Sequence, residues 1–222
     1  MRGYWQGLAG CPRSGRSVVS MSEYGNWAHR PRMRDGLRAA LLAMTAAPAT
    51  VVNDQLDVVA ANRLGKALLG PALVSGRPNL ARFVFLNEGA SMDFYPEWDR
   101  VADEFAHLLQ AAASCDPHDR TLHCLIGELA TSSEPFRNRW SSPHGNGCHP
   151  PHLSIRHPVA GELDLIREHL APRADRGLTL TLYAAQPSSA TDERLRILAS
   201  WSQEAAEFAS LDRIDEPGDP SG

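Results

Sequence analysis

His144, Cys148, His149 and His152 fall within nine positions of one another, and imidazole nitrogens with a thiolate are the donors that tetrahedral zinc takes. Structural zinc sites bring two ligand pairs held by separate turns. Here Cys148 and His149 are adjacent on one irregular loop, SSPHGNGCHPP, with two prolines behind them. The pattern therefore reads as a loop of exposed histidines with no metal bound, and a metal-dependent enzyme survives only as a third reading. The acidic pair Asp103-Glu104 has the types that general acid-base chemistry uses, but its place in a helical stretch assigns it to a solvated face. The chain has no GxSxG elbow, no phosphate-binding P-loop and no dinucleotide fingerprint, so no catalytic residue is expected. No cofactor is expected either.

A second group could bind rather than react. Phe83, Phe85, Trp98, Val101, Phe105, Ile126, Phe136 and Trp140 recur at helical spacing through the middle of the chain. Such a set either fills a core or walls a cavity for an apolar molecule, and both readings stay open. Two polar residues stand out beside it: Arg82 as a partner for a carboxylate, and Asn62 as a helix cap.

The elements that must position these residues follow from periodicity. From Gly36, apolar residues at 37, 40, 41 and 44 make a short amphipathic helix that stops before Pro48. Val51-Val52, a turn at Asn53-Asp54-Gln55, and Val58-Val59 predict a hairpin, followed by an Asn62-capped helix ending at Gly70-Pro71. Residues 79–140 read as helical. Trp98, Val101, Phe105, Leu108 and Ala112 form one stripe, Leu122, Leu125, Ile126 and Leu129 another, and Ser133-Glu134-Pro135 opens a third helix. After the histidine loop the period changes to two. Leu153/Ile155, Leu163/Leu165 and Leu178/Leu180/Leu182 mark a three-stranded meander before a last helix from about Thr191 to Phe208. The sum is an α+β fold: a five-stranded antiparallel sheet with helices packed on one face and a helical insert between strands 2 and 3. That plan is the one used by PAS-type sensor domains.

Length and charge bound the rest. The 222 residues are 43% hydrophobic and carry a formal charge of −4, enough for one domain with a core and tails. Six arginines against Glu23 and Asp35 make residues 1–35 a basic segment, rich in Gly, Arg, Ser and Pro and expected to be disordered. Residues 36–210 form the predicted domain, and 211–222 an acidic, disordered tail. The acidic body is a poor nucleic-acid surface. The four cysteines show no CxxC pair, which suits reduced thiols. The box LAGC at residues 8–11 lacks the apolar core of a signal peptide, and no run is long enough for a membrane span. A cytoplasmic location is expected.

Several ordered stretches carry a family likeness. LRAALLAMTAAPATVVNDQLDVVAANRLGKALLG, NLARFVFLNEGASMDFYPEWDRVADEFAHLLQAAASCDPHD, LIGELATSSEPFRNRW, IRHPVAGELDL and LTLTLYAAQPSS resemble the ligand-binding domain of MmyB-like transcription regulators, from about Leu37 to Trp201. The resemblance implies a PAS-like fold, an actinobacterial or related origin, and small-molecule sensing behind an N-terminal phage-repressor-type helix-turn-helix. It also implies an apolar, fatty-acyl-like ligand. Where the family often has Trp-Asn this chain has Ala61-Asn62. The Gly/Arg/Ser segment of 35 residues is shorter than the roughly 60 to 70 residues of such a DNA-binding module. The sequence therefore points to a truncated or orphaned sensor that reaches DNA only through a missing or partner helix-turn-helix. The rival reading is a ligand-free interaction module, dimerising as a homodimer through its terminal helices.

Overall fold

The computed structural model describes residues 33–73, 78–142 and 151–211, with side chains through Ser202. Helix α1 spans Asp35–Ala43, and strands β1 (Ala49–Asn53) and β2 (Val58–Ala61) form the hairpin. Helix α2 (Arg63–Leu68) follows, then the helical insert: α3 (Leu80–Leu86), α4 (Glu88–Phe94), α5 (Trp98–Cys115), α6 (Arg120–Ser132) and α7 (Glu134–Ser141). Strands β3 (His152–His157), β4 (Gly161–Leu170) and β5 (Leu178–Ala184) lead to α8 (Ala190–Leu211). The strands form one antiparallel sheet in the order β2-β1-β5-β4-β3. The α+β class, the five strands and the insert between strands 2 and 3 are as the sequence predicts.

β1 lies between β2 and β5, and all five of its residues are buried. Its alternation separates two cores. Val52 joins Tyr183, Leu153, Ile155, Leu163 and Leu165 beneath the helical insert, α2 and α8. Ala49 and Val51 point the other way, where Leu178 and Leu180 pack against Met33 and Leu41 of the α1 segment. The sheet is thus covered on most of one face by helices and on part of the other by α1. Met33 is buried three residues ahead of the sequence-predicted domain start at Gly36.

One side chain joins the hairpin to what surrounds it. Asn62 Oδ1 accepts from Gly65 N (2.7 Å), capping α2, and from Ala49 N (3.0 Å) at the start of β1. Its Nδ2 donates to Ala47 O (2.8 Å) and to Met44 O just after α1. A cap alone contributes about 1 kcal/mol, and here the same amide also satisfies a buried strand N–H. Gly65 allows the close approach. A Cβ there would come within 2.4 Å of the Ala49 carbonyl oxygen, so α2 could not lie this near β1 with any other residue.

β4 is longer than its neighbours. It pairs with β3 over residues 161–166 and with β5 over 166–170. The stretch that β5 does not reach is closed by α8, where Thr191 Oγ1 accepts from Asp164 N (3.0 Å) and Arg194 donates to Glu162 O. That cover suits an edge whose N–H and C=O groups would otherwise be open to other chains.

Candidate functional site

The aromatic residues of the insert fall into two groups. The first lies among α3, α5 and α7. Phe85 meets Phe136 edge-on at 5.0 Å between ring centroids and Trp98 at 6.4 Å, and Phe136 stacks on Trp140 at 5.4 Å. Trp98 donates through Nε1 to Ser91 Oγ (2.8 Å), and the Arg139 guanidinium sits 5.0 Å above its ring. Arg139 is held there by Asp99 (2.5 Å) and Asp103 (2.7 Å). Ring offsets and edges of this kind are ordinary aromatic packing, so the group is closed upon itself.

The second group reaches the sheet through Tyr95, whose phenol lies near Tyr183 and Arg167. Phe83, Phe94 and Tyr95 meet edge-on, with centroids 4.8 to 6.1 Å apart. Beside them the sheet presents charge. Arg167 of β4 donates through Nη2 to Glu104 Oε2 of α5 at 2.6 Å, and each side chain is only 6% exposed. Tyr183 of β5 lies opposite Arg167 in the strand register. Burial, foremost, raises the pKa of the Tyr95 and Tyr183 phenols, so both stay protonated donors at any physiological pH. Burial opposes the Arg167 charge, but the Glu104 carboxylate outweighs it and the guanidinium pKa rises. The Thr50 hydroxyl favours ionisation of Tyr183, although the two do not meet with the geometry of a full hydrogen bond. Nearby, His169 Nδ1 and Thr181 Oγ1 are 2.9 Å apart. A buried ion pair with two phenols at the edge of an aromatic cluster can orient a polar group on an otherwise apolar molecule.

The sequence-predicted site residues divide between these places. Phe83 belongs to the sheet-facing group, while Phe85, Trp98, Phe136 and Trp140 belong to the interhelical one. Val101 and Phe105 are buried on α5, and Ile126 of α6 is only half-buried against the core. Arg82 is not with them. It forms a side-on pair with Glu128 of α6, at 2.7 Å from Nη2, and both side chains are more than a third exposed.

Glu104 corrects the expectation of a solvated acidic pair. Asp103 is exposed, but Glu104 is buried. The signal was present: Glu104 stands three residues after Val101 and four before Leu108, inside the stripe. Arg167 and Tyr183 were likewise missed. Leu163 and Leu165 point inward, so position 167 must do so too. Tyr95 had no such signal, because it follows a short helix whose packing only the tertiary structure fixes. Of the histidine loop, His144, Cys148 and His149 lie outside the described residues, and His152 is exposed at the start of β3. Among the described residues no three His, Cys, Asp or Glu side chains are placed to hold a metal ion.

The profile of the MmyB-like transcription regulator ligand binding domain matches residues 33–198. The chain belongs to this family. The match starts at Met33, the residue that opens the core under α1, and ends at Leu198, which packs α8 onto the main core. No curated protein matches the chain. Membership makes this MmyB-like domain a regulatory, ligand-sensing one, in a family of regulator domains rather than enzymes. No helix among its described residues is long and apolar enough to cross a membrane.

Proposed function

We propose that the MmyB-like domain senses an apolar small molecule, of fatty-acyl-like character, held between the sheet and the helical insert. It works in the cytoplasm and acts on DNA only through a helix-turn-helix, joined to it or carried by a partner. The observation that carries the reading is the sheet-facing layer. There Phe83, Phe94 and Tyr95 adjoin the buried Arg167–Glu104 pair, so apolar walls and convergent polar groups share one place. Ligand sites have this makeup.

Native mass spectrometry of the bacterially expressed protein tests it. A copurifying apolar molecule, released on unfolding, is expected. Phe105→Trp adds a second arm, because Phe105 is buried on α5. With the ligand layer beside it, the larger ring weakens ligand binding and leaves the melting point of the stripped protein nearly unchanged. In close-packed core it lowers stability by about 1–3 kcal/mol. That loss, with no molecule bound to the parent protein, would leave the second reading.

The second reading is a ligand-free module that pairs with a copy of itself. It draws on Ile197 and Trp201, one turn apart on α8 and each about half exposed. Sedimentation of the purified chain as a monomer at micromolar concentration, unaltered by Trp201→Ser, would remove it.

A further inference from the structure

The sheet face under α1 is only half covered. Leu178 and Leu180 of β5 pack there with Met33 and Leu41. β4, the next strand, turns Leu170, Glu168, Ile166, Asp164 and Glu162 to the same face, since Leu170 stands opposite Leu180 and Glu168 opposite Leu182. Leu170 is 42% exposed, the three carboxylates are exposed and Ile166 is half-buried. Asp164 accepts from Ser154 Oγ (2.9 Å) and Glu162 lies 4.0 Å from Arg156. Glu168 has no ion partner among the described residues. The open strip thus alternates apolar side chains with negative charge.

The chain enters the domain at one end of this strip. Arg34 N donates to Asp175 Oδ1 (2.9 Å) in the connection that follows Leu170, and Arg34 is extended, with φ −67° and ψ 153°. Residues 24–32, which lead into that point, read YGNWAHRPR: two arginines, a histidine, two aromatic residues and no acid. Pro31 favours extended backbone for itself and for Arg30. Nine extended residues span about 30 Å, close to the length of a ten-residue strand such as β4. From the point of entry, the complementary charge and the matching length, we propose that residues 24–32 lie along the open half of this face as a strap. Its arginines meet the carboxylates of β4, Glu168 foremost, and Trp27 covers the apolar side chains between them. Tethered at Met33, the strap meets the face at an effective concentration on the order of millimolar, an advantage no separate partner has. The proposal is independent of which ligand the domain takes. Its consequence is that whatever precedes residue 24 is held to the side of the sheet opposite the helical insert.

Amide hydrogen exchange of the full 222-residue chain, read by mass spectrometry at low salt, tests the strap. Peptides within residues 24–32 are expected to exchange about tenfold more slowly than their intrinsic rates, or better. Glu168→Arg is expected to remove most of that protection, with exchange in the rest of the sheet unchanged. Adding Arg30→Glu and Arg32→Glu to it should restore the protection by reversing the charges on both sides. Exchange of residues 24–32 at intrinsic rates in the unaltered chain would overturn the proposal. So would protection that Glu168→Arg leaves intact, because the segment would then be seated elsewhere. Protection that vanishes on dilution, alongside a dimer in sedimentation at the higher concentration, would give the face to a second copy and overturn the strap as well. Should Glu168→Arg fail to fold, Arg30→Ser with Arg32→Ser leaves the described residues unaltered and decides the same point: loss of protection is expected, and its persistence would overturn the proposal.

Discussion

The two aromatic groups of the helical insert differ in what they pack against. Phe85, Trp98, Phe136 and Trp140 meet one another between helices, with Phe136 wholly buried, Trp98 bonded to the buried Ser91 hydroxyl and Arg139 over its ring. Phe83, Phe94 and Tyr95 pack edge-on, and Tyr95 brings them to a sheet that carries Arg167 and Tyr183 inward. The first arrangement gains by excluding everything. The second carries a standing desolvation penalty, because burying Arg167 and Glu104 costs several kcal/mol per ion before their attraction offsets it. A fold that needed only stability would put apolar side chains at both positions, which is why the sheet-facing layer and not the interhelical one is the candidate for function.

Removing one partner of the ion pair should give the largest effect. Glu104→Ala leaves a guanidinium buried without its charge partner, and a loss of about 3–5 kcal/mol in urea unfolding is expected. Replacing both residues, Glu104→Met with Arg167→Met, should recover most of it. A double variant no more stable than the single one would mean that the pair is a structural necessity, and the contrast between the layers would fail.

Phe136→Ala attacks the other layer. Its side chain is 0% exposed, and truncation of a buried phenylalanine costs about 3–5 kcal/mol. No partner substitution should rescue it, and the affinity for an apolar ligand should hold wherever the protein remains folded. A selective loss of affinity in the folded variant would move the site into the interhelical group.

A smaller effect concerns His157, which ties β3 to α2 on the sheet side. Its Nδ1 accepts from Val159 N and Ala160 N, and its Nε2 donates to Ala67 O at 3.0 Å. Burial, the leading cause, lowers its pKa below the ordinary 6.5, against the pull of the Ala67 hydrogen bond. The unfolded chain therefore takes up the proton first. This contribution to stability is complete above pH 6.5 and is lost as pH falls from there through the lower folded value. Thermal melts across that range should show the decline, flattened in His157→Gln. The smallest effect belongs to Arg82→Ala, where an ion pair more than a third exposed on both sides should contribute no more than about 1 kcal/mol. A larger loss, or any change in ligand affinity, would return Arg82 to the site.

How much of this was legible in the sequence differs by kind of residue. The caps were plain: Asn62 and Ser133 both bond the helices they open, since capping is settled within four residues. The strand pattern was plain as well, with Leu163 and Leu165 inward and their polar neighbours exposed. The same alternation holds at β5 but leaves the partner open. Leu178 and Leu180 form a face, but it lies against α1, and Tyr183 is what β5 gives to the helical side. Period two reports that a strand has two faces and is silent on which core each one meets. Arg82 is the converse case: beside aromatic residues in sequence, it pairs in space with Glu128 of α6.

By itself the sequence determined the elements, their order and the family, because turns, caps and periodicities act over a few residues and survive in any tertiary setting. Only the tertiary structure decided that α1 covers the far face, that the aromatic residues split in two, and that Glu104 meets Arg167 across 63 positions of chain. Those facts depend on which surfaces are brought together. For an ionisable side chain that decides the sign of the argument: the carboxylate that would be solvated on a lone helix becomes, against the sheet, the negative charge that pairs with a buried arginine.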